Sequence, residues 1–273
     1  MAIDEAQYSA LLGDVRAEAD QLIELLSGLD DEQWHLPTPA VGWDIHDQVV
    51  HLAFFDDLAV LGFAHPEEFE TTKDALLATG EDWVDQISHD RHDLSPAEVL
   101  RWFSASRENL LLRFAELGPE ARTPWFGPPM SSASSATARL METWAHGQDL
   151  FDTFGLRREP TARLRHVCHL GVITRGFSFA LRGLEVPQTP VRVELVAPDG
   201  SPWTWGPEDA VDRVSGPAHD FALVVTQRRH RADTGLVITP GPAEEWMSIA
   251  QAFAGSPGAG RQPGQFPAEG SRR

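Results

Sequence analysis

A helical stripe at the start of the chain most limits the fold. Tyr8, Leu11, Leu12, Val15, Ala19, Leu22, Ile23 and Leu26 recur at the three-and-four spacing of one helix face, and Gly28 is a natural stop. A helix striped in this way must bury that face against other elements. The next segments supply the partners. A turn-rich piece, "LPTPAVGW" (36–43), hands over to Asp44 as an N-cap and to the apolar run "VVHLAFFDDLAVLGF" (49–63). A weaker helix is expected from about Pro66, interrupted or ended near Gly80, with Phe69, Leu76, Leu77, Trp83 and Ile87 as its apolar members. "SPAE" opens another: Ser95 can cap, Pro96 fits the first helical position, and Glu98 completes a capping box. Its stripe runs through Val99, Phe103, Leu110, Phe114 and Leu117 to Gly118. "RLMETWAHGQDLFDTFG" (139–155) is the next long helix, so the expected class is mainly α, with a four-helix bundle in this half.

After Gly155 the texture changes. One more long helix, Thr161 to Leu184, is followed by "VRVELVAPDGSPWTWG", whose alternation around a Pro-Asp-Gly turn predicts a hairpin. A helix from about Pro217 to His230, a strand at "GLVIT" and a final helix from Glu244 to Phe253 give an α+β segment. With 273 residues the chain can build two modest cores. We place a helical domain at 1–157, a smaller α+β domain at 158–254 and a Gly/Pro-rich tail at 255–273. The tail's composition can bury little, which favours disorder, although Arg261 and Phe266 within it suggest that it folds back near the domain junction.

Charge and composition narrow the partners. A formal net charge of −19, with arginines scattered in ones and twos, repels phosphate backbones and argues against nucleic acid. No apolar run reaches the roughly 18 residues of a membrane span, and the N-terminus is acidic, so neither a span nor a signal peptide is expected and the protein is placed in the cytoplasm. Homodimerisation is left open. The one cysteine, Cys168, cannot make an internal disulfide and excludes a Cys-rich metal site. It shares a helical stripe with Leu164, Gly171, Val172 and Phe179, the pattern of a packed residue rather than of a displayed nucleophile.

Glu142 and His146 stand four places apart, on one side of a helix and one turn from each other, near enough for two ligating atoms to converge on one ion. The same spacing also suits a local ion pair on a solvated face. His51 is embedded in an apolar run, where an inward imidazole needs a partner: a carbonyl, a carboxylate or a metal. Together, two imidazoles and a carboxylate from two helices form a three-ligand set that leaves coordination positions open for water or substrate. Asp149, one turn beyond His146, could accept its second ring N–H, and Asp56 or Asp57 could reach the site from the turns after His51. His46, five residues before His51, is rotated away from it, which argues against a fourth ligand. Trp43 and Trp144 flank the ligand segments as candidate pocket walls. Arg228, Arg229 and His230 end an expected helix, where the dipole favours cations. The competing reading puts an arginine there opposite the metal as the catalytic partner of a substrate or cofactor carboxylate.

"VGWDIHDQVVHL", followed about ninety residues later by "RLMETWAHGQDL", resembles the metal-binding N-terminal domain of the mycothiol-dependent maleylpyruvate isomerases, a branch of the DinB-like four-helix-bundle superfamily. "VELVAPDGSPWTWG", "SGPAHDFALVVTQRRH" and "AQAFAGSPGAGR" resemble the smaller C-terminal domain of those proteins, closest to an actinobacterial subgroup of metal-binding proteins. The resemblance implies that His51, Glu142 and His146 hold a divalent metal, Zn2+ by expectation, with mycothiol as a low-molecular-weight thiol co-substrate. The implied activity is that of an isomerase or thiol S-transferase acting on a small electrophilic, unsaturated metabolite. Thiol-independent chemistry with metal-activated water and a non-catalytic metal-binding module are the alternatives.

Overall fold

The computed structural model describes residues 3–266. Contacts divide the chain into two compact units, Met1–Arg157 and Arg158–Arg273.

The first unit is helical. Its elements are α1 (Glu5–Ser27), the short α2 (Asp31–Trp34), α3 (Ile45–Ala64), α4 (Pro66–Ala78), α5 (Trp83–His89), α6 (Pro96–Leu117), the strand pair β1 (Arg122–Thr123) and β2 (Met130–Ser131), and α7 (Ser132–Thr153). The long helices α1, α3, α6 and α7 are the four-helix bundle, with α3 against α6 and α1 against α6 and α7. The stripe read from the sequence is the buried face of α1: Tyr8, Leu11, Val15, Ala19, Leu22 and Leu26 are each at most 2% exposed. Each completely buried apolar side chain contributes about 1.5–3 kcal/mol over leaving it in water, so this stripe alone outweighs any helix propensity. Asp4, Asp30 and Asp44 each accept a backbone N–H three residues on, and Gln7, Gln33 and Asp47 reply, closing three capping boxes. At α6, Glu98 takes both the Ser95 N–H and hydroxyl.

The expected third helix is two. Gly80, at φ 120, sits in the break between α4 and α5, a conformation open to glycine and strained for other residues. The β1–β2 pair was not read from the sequence, because two-residue strands carry no periodic signal. It closes the loop that presents Trp125 and Phe126 to Phe69, Trp83 and Phe55, with ring centroids 4.8–6.2 Å apart.

The second unit contains α8 (Leu164–Ile173), α9 (Arg175–Ala180), β3 (Val191–Val196), β4 (Pro202–Trp205), β5 (Asp212–Pro217), α10 (Ala218–Val225), β6 (Val237–Ile238) and α11 (Pro242–Ile249). The sheet order is β4-β3-β5-β6, antiparallel except for the parallel β3–β5 pair. The Pro-Asp-Gly turn is present: Gly200, at φ 83, donates its N–H to Ala197 O, and Asp199 accepts the Ser201 N–H. Three expectations need correction. The helix read over 161–184 is broken at Thr174, whose hydroxyl bonds back to Leu170 O and Gly171 O and competes with the backbone ladder. The helix read as reaching His230 ends at Val225, because Gln227 turns to φ 60 and Arg228 N bonds back to Leu223 O. The helix read to Phe253 stops at Ile249. Strand β5 was missed, since its polar "DRVSGP" shows little apolar alternation; its partners, β3 and β6, supply the pairing.

In the tail, Gly258 bonds to Gln251 and Arg182, Gly264 N bonds to Asp233, and Arg229 lies over the Phe266 ring at 4.5 Å. The remainder of the tail lies outside the described residues. Among the described residues no helix is long and apolar enough to cross a membrane.

Candidate metal centre

Asp44 fixes where α3 begins, and so which way His51 points. Before it, Trp43 N bonds to Ala40 O in a turn with Gly42 at φ 86, and Pro37 bridges to Asp44. His51 lies at the end of the second turn of α3, while Glu142 and His146 lie one turn apart on α7. The three offer one ligand atom each within 4.8 Å of one another. His146 Nε2 is 3.4 Å and His51 Nε2 3.9 Å from the same oxygen, Glu142 Oε2. Ligand atoms of a tetrahedral zinc, each about 2.0–2.2 Å from the ion, stand roughly 3.3–3.6 Å apart, so this spacing fits a divalent cation after small side-chain adjustments.

The protonation pattern follows from the hydrogen bonds. The Thr38 hydroxyl donates to Trp43 O at 2.8 Å and therefore accepts from Gln48 Nε2, also at 2.8 Å. That leaves Gln48 Oε1 to accept the Nδ1–H of His146, so Nε2, on the Glu142 side, is the nitrogen that can ligate. Burial pushes His51 down to about 4, with the His146 and Arg139 charges acting the same way and Glu142 opposing, so its ring is neutral at neutral pH. Burial by itself would raise Glu142, but bonding to His146 and His51 and their charges hold it well below the usual carboxylate range. Two imidazoles and one carboxylate are a borderline donor set suited to zinc or a similar divalent ion.

The surroundings correct several expectations. The partner of His146 Nδ1 is Gln48, not Asp149; Asp149 is completely buried on α7. Asp56 is locked by Arg107 at 2.6 Å and Arg139 at 3.0 Å, and Asp57 takes the Trp102 indole N–H at 2.6 Å, so their carboxylates are engaged elsewhere. Trp43 lies against both ligand rings, 5.2 Å from His51 and 5.9 Å from His146, with its indole N–H held by Asp85. Trp144 is buried in α7. Phe55, 4.6 Å from the His51 ring, links the site to Trp83, Trp125 and Phe126. Gln48 and Thr38 were missed by sequence reasoning; Gln48 lies three residues before His51 on the same helix, a spacing that could have identified it.

Arg228 and Arg229 lie in the turn after α10 rather than at a helix end, and each donates to a backbone carbonyl, Thr226 O and Arg228 O respectively. His230 accepts from Ala232 N. Cys168 is completely buried with its thiol on Ala218 O, and burial pushes the thiol far above its ordinary range.

The four long helices define a DinB-like bundle, and the comparisons name the branch. The model for the mycothiol maleylpyruvate isomerase N-terminal domain matches residues 15–151, and the chain belongs to that family. A shorter match, to the model for wyosine base formation, covers residues 187–236. An "uncharacterized protein" of Mycobacterium tuberculosis, found in two strains, is 43% identical over 256 residues, covering 94% of this chain and all of the relative. The crystal structure of the mycothiol-dependent maleylpyruvate isomerase matches with a TM-score of 0.53 at 17% identity, covering 86% of this chain and 93% of that one. A histidine-to-alanine mutant of the same enzyme matches with a TM-score of 0.58 at 16% identity over the same shares. At that identity the likeness shows the fold alone.

Proposed function

We propose that this protein is a divalent-metal-dependent enzyme that uses mycothiol as co-substrate, an isomerase or thiol S-transferase acting on a small electrophilic, unsaturated metabolite. The observation that carries the reading is the convergence of His51 Nε2 and His146 Nε2 on Glu142 Oε2. His51, Glu142 and His146 would hold the ion, and when bound it would supply a Lewis-acidic centre that favours thiolate over thiol near neutral pH. Gln48 holds His146 in the ligating tautomer, while Trp43 and Phe55 pack against the His51 ring. Thiolate addition to a cis double bond leaves a carbon–carbon single bond free to rotate, and re-elimination returns the thiol with the trans product. If the adduct is instead retained, the outcome is S-transfer. Arg228 and Arg229 are proposed as the catalytic partners of a substrate or thiol carboxylate, through the forked guanidinium geometry that suits it.

The test is metal analysis of protein purified without chelator, followed by incubation with mycothiol and maleylpyruvate as the electrophile. Isomerised product with unchanged thiol supports isomerase, and a thioether adduct in the mass spectrum supports transferase. Turnover that needs metal but no thiol would replace both with metal-activated water. A protein that takes up no zinc would end the metal reading.

A further inference from the structure

His46 is turned away from His51, as its spacing requires, and it turns toward a second set of ligand-type atoms. His46, Asp47 and His92 offer one ligand atom each within 4.8 Å of one another. His46 and Asp47 belong to the first turn of α3, and His92 to the turns after α5. His46 is completely buried, and its Nε2 lies 3.0 Å from the carbonyl of Leu94. A carbonyl only accepts, so Nε2 carries a proton, and in the neutral imidazole Nδ1 keeps the lone pair. That Nδ1 is buried and has no hydrogen-bond partner among the described residues. Asp47 is 7% exposed; one of its oxygens takes the Asp44 N–H of the capping box. The other, Oδ1, is also buried without a hydrogen-bond partner among the described residues. His92 Nε2 stands 3.7 Å from that oxygen, beyond hydrogen-bond reach but close to the edge of a tetrahedral zinc site. The His46 and His92 rings are stacked at 5.8 Å with only 9° between their planes.

Two buried acceptors without donors are a cost that folded proteins rarely leave in place. A protonated His92 could relieve Asp47 but not His46 Nδ1, whose lone pair needs a donor or a cation. One divalent cation answers both. The bond from His46 Nε2–H to a backbone carbonyl is also the arrangement that orients metal-ligating histidines.

We propose that His46, Asp47 and His92 form a second divalent-cation site, separate from the His51 centre, with an N2O donor set suited to zinc. It braces the turns between α5 and α6 against the start of α3, the helix that carries His51. His92, whose side chain is 49% exposed, closes the site from the solvent side and leaves a coordination position open to water.

The experiment uses the full chain, with Zn2+ and Co2+ as probes. Equilibrium dialysis and metal analysis are expected to give two ions for the wild type, one for His146→Ala, one for His92→Ala and none for the double variant. In the His146→Ala background, Zn2+ raises the melting temperature and Co2+ gives visible d–d absorption, and both effects vanish on adding His92→Ala. His92 is a half-exposed loop residue, and the ion retained by His92→Ala alone checks that this variant is folded. One ion in the wild type that His92→Ala keeps and His146→Ala loses would overturn the second site and leave the first. One ion that His146→Ala keeps and His92→Ala loses would do the reverse. A His92–Asp47 ion pair without a cation predicts no change in ion count with His92→Ala, and that result also overturns the proposal.

Discussion

Gln48 Oε1 accepts the Nδ1–H of His146, and that single bond leaves His146 Nε2 facing Glu142 Oε2 at 3.4 Å. The geometry of the candidate metal centre therefore involves a residue outside the ligand set. Replacing Gln48 with Leu keeps the volume but removes the acceptor and frees the tautomer. Metal affinity is expected to fall about 10–100-fold with all three ligands present. Competition with a chromogenic chelator measures it; unchanged affinity would show that Gln48 does not orient His146.

His51→Ala, Glu142→Ala and His146→Ala are each expected to lose the ion of this centre while retaining the helices. The buried stripes of α1, α3, α6 and α7 are large enough to hold the bundle without it. Metal content, measured beside far-ultraviolet circular dichroism, separates loss of the ion from loss of fold.

Asp56 is completely buried between Arg107 and Arg139, and Arg107 also bonds the Thr143 hydroxyl. Removing the carboxylate strands two buried guanidiniums. Asp56→Ala is expected to cost about 3–5 kcal/mol, read from the urea midpoint of the metal-free protein. A loss below about 1 kcal/mol would mean that water or another group satisfies both arginines.

The chain has one tyrosine, Tyr8, buried with its hydroxyl on Phe114 O, and burial pushes it up to about 12. A raised phenol favours folding fully below the unfolded value of 10 and loses that contribution as pH climbs through about 12. In the folded protein, phenolate absorbance at 295 nm is expected to appear near pH 12; in urea it is expected near pH 10. Coincident curves would place the ring in solvent.

Cys168→Ala is expected to keep its fold and any thiol-dependent turnover, because the buried thiol is held far from ionisation. Native protein at pH 8 is expected to resist iodoacetamide and to be alkylated once unfolded. Substrate attached to Cys168 in intact-mass analysis would instead identify it as the nucleophile.

The sequence by itself determined the bundle, because a buried helical face imposes a period of 3.6 that can be counted: the α1 stripe, the Asp44 cap and the Ser95-Glu98 pairing are local facts. It also placed Glu142 and His146 on one face, since four residues make about one turn. Tertiary structure decided what those positions meet. The convergence of His51 on Glu142, the choice of Gln48 over Asp149 and the locking of Asp56 by Arg107 join residues 51 to 98 positions apart, where no period reaches. The breaks at Thr174 and Gln227 were equally hidden: a hydroxyl bonding back to Leu170 O and a residue at φ 60 are choices between local conformers of similar energy, settled by packing. His46 shows both halves at once. Its spacing turned it away from His51, and only the fold brought His92 to meet it.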